Sequence, residues 1–107
     1  NEIAAQSKVS IEIDEQAVPI HPAVASACEF LGLDPLYIAN EGKLIVIVEE
    51  DVAQEALSII RSCKYGENAA VIGRVSSEQP GFVSMKTAIG GKRLVDWLNS
   101  DPLPRIC

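Results

Sequence analysis

The run KLIVIV at residues 43–48 is the strongest structural signal in the chain. After Lys43 it is a continuous series of aliphatic, mostly β-branched side chains, with no polar residue between Leu44 and Val48. A strand with one solvent-facing side alternates apolar and polar residues, whereas a strand covered on both sides is apolar throughout. The run therefore predicts a strand that is buried on both faces and central in its sheet.

Further strands are predicted on either side of this run, at residues 9–13, 69–75, 82–89 and 92–98. In the first of these, Val9, Ile11 and Ile13 alternate with polar residues, which is typical of a half-buried strand. The pair Gly90-Gly91 lies between the last two and predicts a two-residue hairpin turn.

Helices are predicted between the strands. One opens at His21-Pro22, because proline suits the first helical position, and stops at Gly32. Asp34 is expected to cap a short helical turn, and Asp51 is expected to cap a second amphipathic helix. Residues 1–7 are interpreted as the end of a further helix. This mixed order predicts an α+β fold, an α/β sandwich in which helices cover a mixed sheet, partly ferredoxin-like.

Composition limits the class of protein. The chain has 107 residues, 48% of them hydrophobic, which suits one domain with a core. The net charge is −6 and the basic residues are scattered, so no surface for non-specific nucleic-acid binding is expected. The longest apolar run is too short to cross a membrane, and no leader is visible. Because the first residue is Asn1, we expect the sequence to start partway through a longer protein. The odd number of cysteines, without CxxC spacing, favours a cytoplasmic protein with reduced thiols.

Cysteine and histidine are sparse. The three cysteines have no CxxC spacing, so a disulfide framework and a structural zinc site are both poorly supported. Cys28 and Cys63 lie on apolar helical stripes and are predicted to be small core residues. His21 is the only histidine and is predicted to be a cap or surface group. No metal site is therefore expected.

The regular pattern stops after residue 98, which predicts a domain over residues 1–98 and a flexible tail over residues 99–107. The tail ends in the thiol of Cys107, beside its own α-carboxylate, which disfavours the thiolate. Such a thiol is a poor self-activated nucleophile but a suitable carrier of a group, because residues 101–107 can reach roughly 20 Å at about 3 Å per residue. The alternative interpretation is that the terminal cysteine is incidental.

A second candidate is the turn Asn40-Glu41-Gly42, which precedes the apolar run. The simplest interpretation is a polar turn before a strand. The functional interpretation is that Glu41 removes a proton from a substrate held nearby, and that Asn40 orients it.

Four segments of the chain resemble the HypE family of hydrogenase expression/formation proteins. They are CEFLGLDPLYIANEGKL at residues 28–44, TAIGG at 87–91, NEIA at 1–4 and PRIC at 104–107. The resemblance is to the C-terminal domain of that family. It implies a PurM-like fold, shared with aminoimidazole ribonucleotide (AIR) synthetase, in which an N-terminal ATP-binding domain precedes a C-terminal α/β domain.

The resemblance also implies a function in the maturation of [NiFe]-hydrogenase. In that family the tail cysteine accepts a carbamoyl group from the partner HypF. The thiocarboxamide is dehydrated with ATP to a thiocyanate, and the cyano group passes to iron on the HypC–HypD complex. For this sequence it implies Cys107 as the carrier and Glu41 as the base. Asn40 and Arg105 are then expected to position the substrate.

The resemblance further implies that ATP and Mg2+ bind mostly to an N-terminal domain absent from these 107 residues, that the full-length protein is a homodimer, and that this fragment alone is inactive. Two other functions stay open. One is a non-catalytic α/β interaction domain. The other is the C-terminal domain of another PurM-like, ATP-dependent small-molecule kinase. Deletion of residues 103–107 would separate these alternatives from the first.

Overall fold

A computed structural model describes residues 1–98 of the chain, which divide into two compact units. The first unit contains Asn1–Pro19 and Val48–Trp97. The second contains Ile20–Ile47 and, at the end of the described part, Leu98. The β-sheet belongs to the first unit, and the turn that precedes the apolar run belongs to the second.

The sheet has four strands in the described part of the chain: β1 (Ser10–Asp14), β2 (Gly73–Ser76), β3 (Val83–Lys86) and β4 (Lys92–Leu94). Their order across the sheet is β2-β1-β3-β4. The two central strands, β1 and β3, run parallel, and each edge strand is antiparallel to its neighbour. The prediction of a mixed sheet in an α+β fold is confirmed.

The helices are α1 (Glu2–Ser7), α2 (Pro22–Leu31) and α3 (Ala53–Ser62), with short 3₁₀-helices at Glu15–Ala17, Pro35–Tyr37 and Glu50–Val52. Helix α2 begins and ends where the sequence predicts. Pro22 occupies its first turn, and Gly32 ends it in the left-handed conformation, with φ of 66°. A residue with a side chain is strained in that conformation, so glycine is the natural stop.

The core of the first unit is centred on β3. Val83 and Met85 lie two positions apart, and therefore on the same face of the strand, and both are buried. Ala4 of α1 is also buried. Because β3 lies between β1 and β4, both of its backbone edges are paired within the sheet.

The prediction for residues 43–48 is wrong in this structure. The run forms no strand, and Leu44 to Val48 are all exposed. A strand requires neighbours that supply backbone hydrogen bonds, and no backbone group elsewhere in residues 1–98 pairs with these six residues. The apolar sequence is suited to a buried strand, but the described part of this chain does not provide the partners.

The predicted cap at Asp51 is also wrong. Asp51 lies within the 3₁₀-helix Glu50–Val52, and α3 begins at Ala53 without a side-chain cap. The amide of Val52 donates to the carbonyl oxygen of Glu49, and that of Ala53 donates to the carbonyl oxygen of Glu50. The backbone of the preceding turn therefore satisfies amides that a cap would otherwise serve.

Three predicted strands are shorter than expected. The segment 69–75 is a strand only from Gly73, the segment 82–89 only over Val83–Lys86, and the segment 92–98 only over Lys92–Leu94. The hairpin between the last two therefore has a loop of residues 87–91 in place of a two-residue turn. Within this loop the amide of Thr87 donates to the carbonyl oxygen of Gly91 at 2.8 Å, and Gly90 has φ of 86°. The hairpin is in the predicted place, but the side chain of Thr87 lengthens its turn through hydrogen bonds to Gly91.

No helix in the described part of the chain has the length and apolar character needed to cross a membrane.

Candidate functional site

The turn Asn40-Glu41-Gly42 follows a short helical segment whose geometry is set by Asp34. The carboxylate of Asp34 accepts a hydrogen bond from the amide of Leu36 at 2.9 Å, and its carbonyl oxygen accepts one from the amide of Tyr37 at 3.0 Å. This is the capping predicted for Asp34, and it closes the 3₁₀-helix Pro35–Tyr37. The chain leaves this helix three residues before the turn.

Gly42 bends the backbone after Glu41. Its φ is +70°, in the left-handed region that favours glycine. A Cβ atom built on Gly42 would have no heavy atom within 4 Å, so nothing packs against the bend. The conformation is therefore favoured by the glycine itself.

The side chains of Asn40 and Glu41 are exposed. Neither forms a hydrogen bond or an ion pair with another of residues 1–98. An ionised carboxylate in this situation has all of its acceptor sites open to an incoming group. Chemically, Glu41 can accept a proton from a donor that is brought to it, which is the minimum that a general base requires.

Two of the predicted site residues, Arg105 and Cys107, lie outside the described residues. The part of the predicted site that the structure describes therefore consists of Asn40 and Glu41, which are adjacent in the chain and share no hydrogen bond with each other.

The other two cysteines differ from one another. Cys28 is buried on α2, as predicted. The prediction that Cys63 is a core residue is wrong, because it is exposed. Helix α3 ends at Ser62, so Cys63 has extended backbone angles and departs from the apolar stripe; its thiol donates to the carbonyl oxygen of Ile59 at 3.4 Å.

His21 is a helix cap, as predicted. Its Nδ1 accepts a hydrogen bond from the amide of Ala23 at 3.3 Å, at the start of α2. Within residues 1–98, no group of three or more His, Cys, Asp or Glu side chains is arranged to hold a metal ion.

No pattern in the sequence indicates the polar contacts that join distant parts of the sheet unit. The carboxylate of Glu15 accepts a hydrogen bond from the amide of Ala88 at 2.7 Å, and Glu12 forms an ion pair with Lys92. Each pair is more than 70 positions apart, so no local spacing indicates it. These contacts fix the ends of β1 and of the β3–β4 hairpin, and they are structural.

Comparison with protein families identifies the type of domain. The family model for the C-terminal domain of AIR synthase related proteins matches residues 1–86. The match covers β1, β2 and β3, and it includes the turn with Asn40 and Glu41.

Individual relatives give the same result. The chain is 53% identical, over all 107 residues, to the carbamoyl dehydratase HypE of Rhizobium leguminosarum bv. viciae, of which it covers 31%. The crystal structure of hydrogenase maturation protein HypE in complex with ATP is 48% identical, with a TM-score of 0.87 over 94% of this chain and 32% of that one. A structure of a HypE–HypF complex is 45% identical, with a TM-score of 0.82 over 89% of this chain and 30% of that one.

The chain thus spans about a third of the length of the proteins that it matches. The similarity extends over all 107 residues, through position 107.

Proposed function

The chain belongs to the family of AIR synthase related proteins, as their C-terminal domain, and from this we propose that it is the C-terminal domain of a carbamoyl dehydratase that matures [NiFe]-hydrogenase. The observation that carries the proposal is the 53% identity, over all 107 residues, to a protein named carbamoyl dehydratase HypE. Identity at that level over a whole domain supports a common reaction more strongly than the shared fold does, because one fold serves many reactions.

In the proposed reaction, Cys107 is the carrier. Its thiol accepts a carbamoyl group and becomes a thiocarboxamide. Phosphoryl transfer from ATP to the amide oxygen makes that oxygen a leaving group, and the loss of both N–H protons and the phosphate leaves a thiocyanate. The cyano group then moves to iron. Breaking the C–S bond to give a thiolate and a cyanide ligand takes two electrons, which the iron complex that accepts the group supplies, and the thiolate then takes up a proton to restore the thiol. Residues 99–107 serve as the arm on which the group travels.

Glu41 is the proposed base for the N–H protons. Its side chain is exposed and has no partner within residues 1–98, which supports this role. A base must come within hydrogen-bond reach of the proton that it removes, so the arm has to bring the thiocarboxamide to Glu41. Asn40 and Arg105 are the proposed positioning residues, one beside the base and the other beside the carrier.

The remaining parts of the machinery belong to the longer protein. ATP, with Mg2+, binds mostly in the N-terminal domain, and the full-length protein is a homodimer in the cytoplasm. The carbamoyl group comes from HypF, and the cyano group leaves to a HypC–HypD complex. The solved structures of HypE with ATP and of a HypE–HypF complex support ATP and HypF as partners. The 107-residue domain alone is then inactive.

Deletion of residues 103–107 from the full-length protein tests the proposal against the two alternatives. The proposal predicts that the truncated protein binds ATP normally but supports no hydrogenase maturation. Hydrogenase maturation at the normal level would favour the alternative of a non-catalytic interaction domain. ATP-dependent phosphorylation of a metabolite by the truncated protein would indicate a small-molecule kinase.

A further inference from the structure

Asn1 stands at the N-cap position of α1, but its side chain does not cap the helix. Asparagine is among the best helix caps, because its side-chain oxygen can accept a hydrogen bond from the second or third amide of the helix. Here the Nδ2 of Asn1 instead donates to the backbone carbonyl oxygen of Asp96 at 3.0 Å, across 95 positions of sequence. The side chain of Asn1 thus holds a distant part of the chain.

Asp96 lies where the chain leaves the sheet. Just before it, the amide of Val95 donates to the carbonyl oxygen of Val83, the first residue of β3, at 2.8 Å. Asp96 itself takes part in two bonds: its carbonyl oxygen accepts from Asn1, and its carboxylate accepts from the amide of Trp97 at 2.9 Å. Residues 95–97, which we call the root, are therefore tied down one after another, shortly before the proposed arm of residues 99–107.

The helix that carries Asn1 is itself firmly held. Ala4 of α1 is fully buried, and the amide of Ala5 donates to the carbonyl oxygen of Asn1 at 2.9 Å. Asn1 and the root belong to the same compact unit as the sheet. The hydrogen bond from Asn1 therefore links the root to a fixed support.

The position of the root determines where the end of the arm can go. Residues 98–107 connect Trp97 to Cys107. Release of the root back to Val95 would free two further residues and shift the end of an extended arm by roughly 6 Å, at about 3 Å per residue. Pro102 and Pro104 restrict the backbone between the root and the thiol, so the arm transmits such a shift to its end. Transfer within one protein is fastest when the length of the tether matches the distance that it must span.

We propose that Asn1 is a positioning residue of the dehydratase: its side chain holds the root and so fixes the point from which the arm carries Cys107. This inference rests on the proposed function, in which Cys107 is the carrier. The step that depends on a fixed root is dehydration, because it takes place at a set position within the protein. Acceptance of the carbamoyl group depends on the root less, because a separate partner can approach a displaced thiol.

Asn1→Asp in the full-length protein separates this role from the stability of α1. The change removes the donor and places a carboxylate against the carbonyl oxygen of Asp96. Aspartate caps a helix as well as asparagine does, and its charge suits a helix N-terminus, so α1 is not weakened. Asn68→Asp is the matched control, since Asn68 is exposed and its side chain has no hydrogen-bond partner within residues 1–98.

The first readout is the environment of Trp97, which is 51% exposed. Fluorinated tryptophan is incorporated into the full-length protein, and the fluorine NMR signal of Trp97 is assigned with Trp97→Phe. We expect Asn1→Asp to move this signal toward its position in the denatured protein, and Asn68→Asp to leave it in place. An unmoved signal in Asn1→Asp would overturn the proposal, because the root would then be held without Asn1.

The second readout is kinetic. Each protein is carbamoylated by HypF with carbamoyl phosphate, and ATP for the dehydratase step is then added. We expect all the proteins to be carbamoylated at the same rate, and Asn1→Asp alone to dehydrate the adduct roughly 3- to 10-fold more slowly, the range that one lost hydrogen bond allows.

The outcomes separate this inference from the proposed function. Equal dehydration rates for the carbamoylated Asn1→Asp and Asn68→Asp proteins would overturn the role of Asn1 and leave Cys107 as the carrier. An unmodified protein that is never carbamoylated on Cys107 would overturn the proposed function, and with it the role of Asn1 in the reaction.

Discussion

The carboxylate of Glu15 accepts a hydrogen bond from the backbone amide of Ala88 at 2.7 Å, across 73 positions of sequence. Glu15 follows β1 directly, and Ala88 lies in the loop after β3. Because β1 and β3 are parallel neighbours, their C-terminal ends meet at one edge of the sheet, and this bond joins the segments that leave them.

Replacing Glu15 with alanine should therefore destabilise the sheet unit. The amide of Ala88 would lose a charged acceptor, and we expect the free energy of unfolding to fall by about 1–2 kcal/mol in a urea titration. Glu67→Ala is the matched control, since Glu67 is exposed and has no side-chain partner within residues 1–98. Equal stabilities for the two variants would mean that the bond to Ala88 contributes nothing.

Met85 is the largest side chain that is fully buried in the described residues, with 1% of its surface exposed. Met85→Ala should cost about 2–5 kcal/mol of folding free energy, from lost apolar burial and the cavity left on β3. Ile89→Ala, in the exposed hairpin loop, should leave the urea midpoint unchanged. A loss below about 1 kcal/mol for Met85→Ala would place the core of the unit somewhere other than β3.

Gly73 is required by the close approach of β2 to β1. A Cβ atom at this position would lie 2.2 Å from the carbonyl oxygen of Glu12, a backbone atom that cannot move without disturbing the strand pair. Gly73→Ala should cost roughly 1–3 kcal/mol or more. Gly91→Ala is the milder comparison, because its Cβ would meet the side-chain oxygen of Thr87 at 3.2 Å, and that oxygen has to shift by only a few tenths of an ångström. If Gly73→Ala is as stable as Gly91→Ala, the strands do not pair in this register.

Local chemistry made part of the fold predictable from the sequence. Pro22 and Gly32 mark the ends of α2 because one residue lacks an amide and the other adopts positive φ, and both effects act within the element itself. The alternation after Val9 predicted β1 for the same kind of reason. The apolar run at residues 43–48 shows the limit of such reasoning: its composition predicts a strand, but a strand also needs a backbone partner, and no other backbone group among residues 1–98 pairs with the run.

The site was predictable to a smaller extent. The turn Asn40-Glu41-Gly42 is visible in the sequence as a polar segment before an aliphatic run. In the structure its residues are exposed, and Gly42 has a positive φ. Its role was not derivable from spacing, because a polar turn is common and the chemistry came from a resemblance to a family. The prediction of a buried Cys63 is wrong because its position continues the apolar helical stripe in the sequence, whereas α3 ends one residue earlier, at Ser62.

The role of Glu41 has a direct test. Glu41→Gln keeps the size of the side chain and removes its ability to accept a proton, so the carrier should be carbamoylated normally but should accumulate as the thiocarboxamide when ATP is added. Single-turnover dehydration should slow by about 100-fold or more, the usual contribution of a general base.

Glu49→Gln is the matched control, since Glu49 is also exposed and near in sequence but belongs to the segment that leads into α3. It should dehydrate the thiocarboxamide at the unmodified rate. Normal thiocyanate formation by Glu41→Gln would remove Glu41 from the mechanism and leave the proton to another group.

The central claim, that Cys107 is the carrier of the cyano group, is tested most directly by intact-protein mass spectrometry of the full-length protein. The protein is incubated with the carbamoyltransferase HypF and carbamoyl phosphate. Its mass is measured before and after ATP is added for the dehydratase step. The account predicts that the intact mass rises by one carbamoyl group, which digestion places on the C-terminal peptide, and that this adduct loses one water once ATP is supplied. An unmodified Cys107 throughout, with the adduct absent or on Cys28 or Cys63, would contradict it.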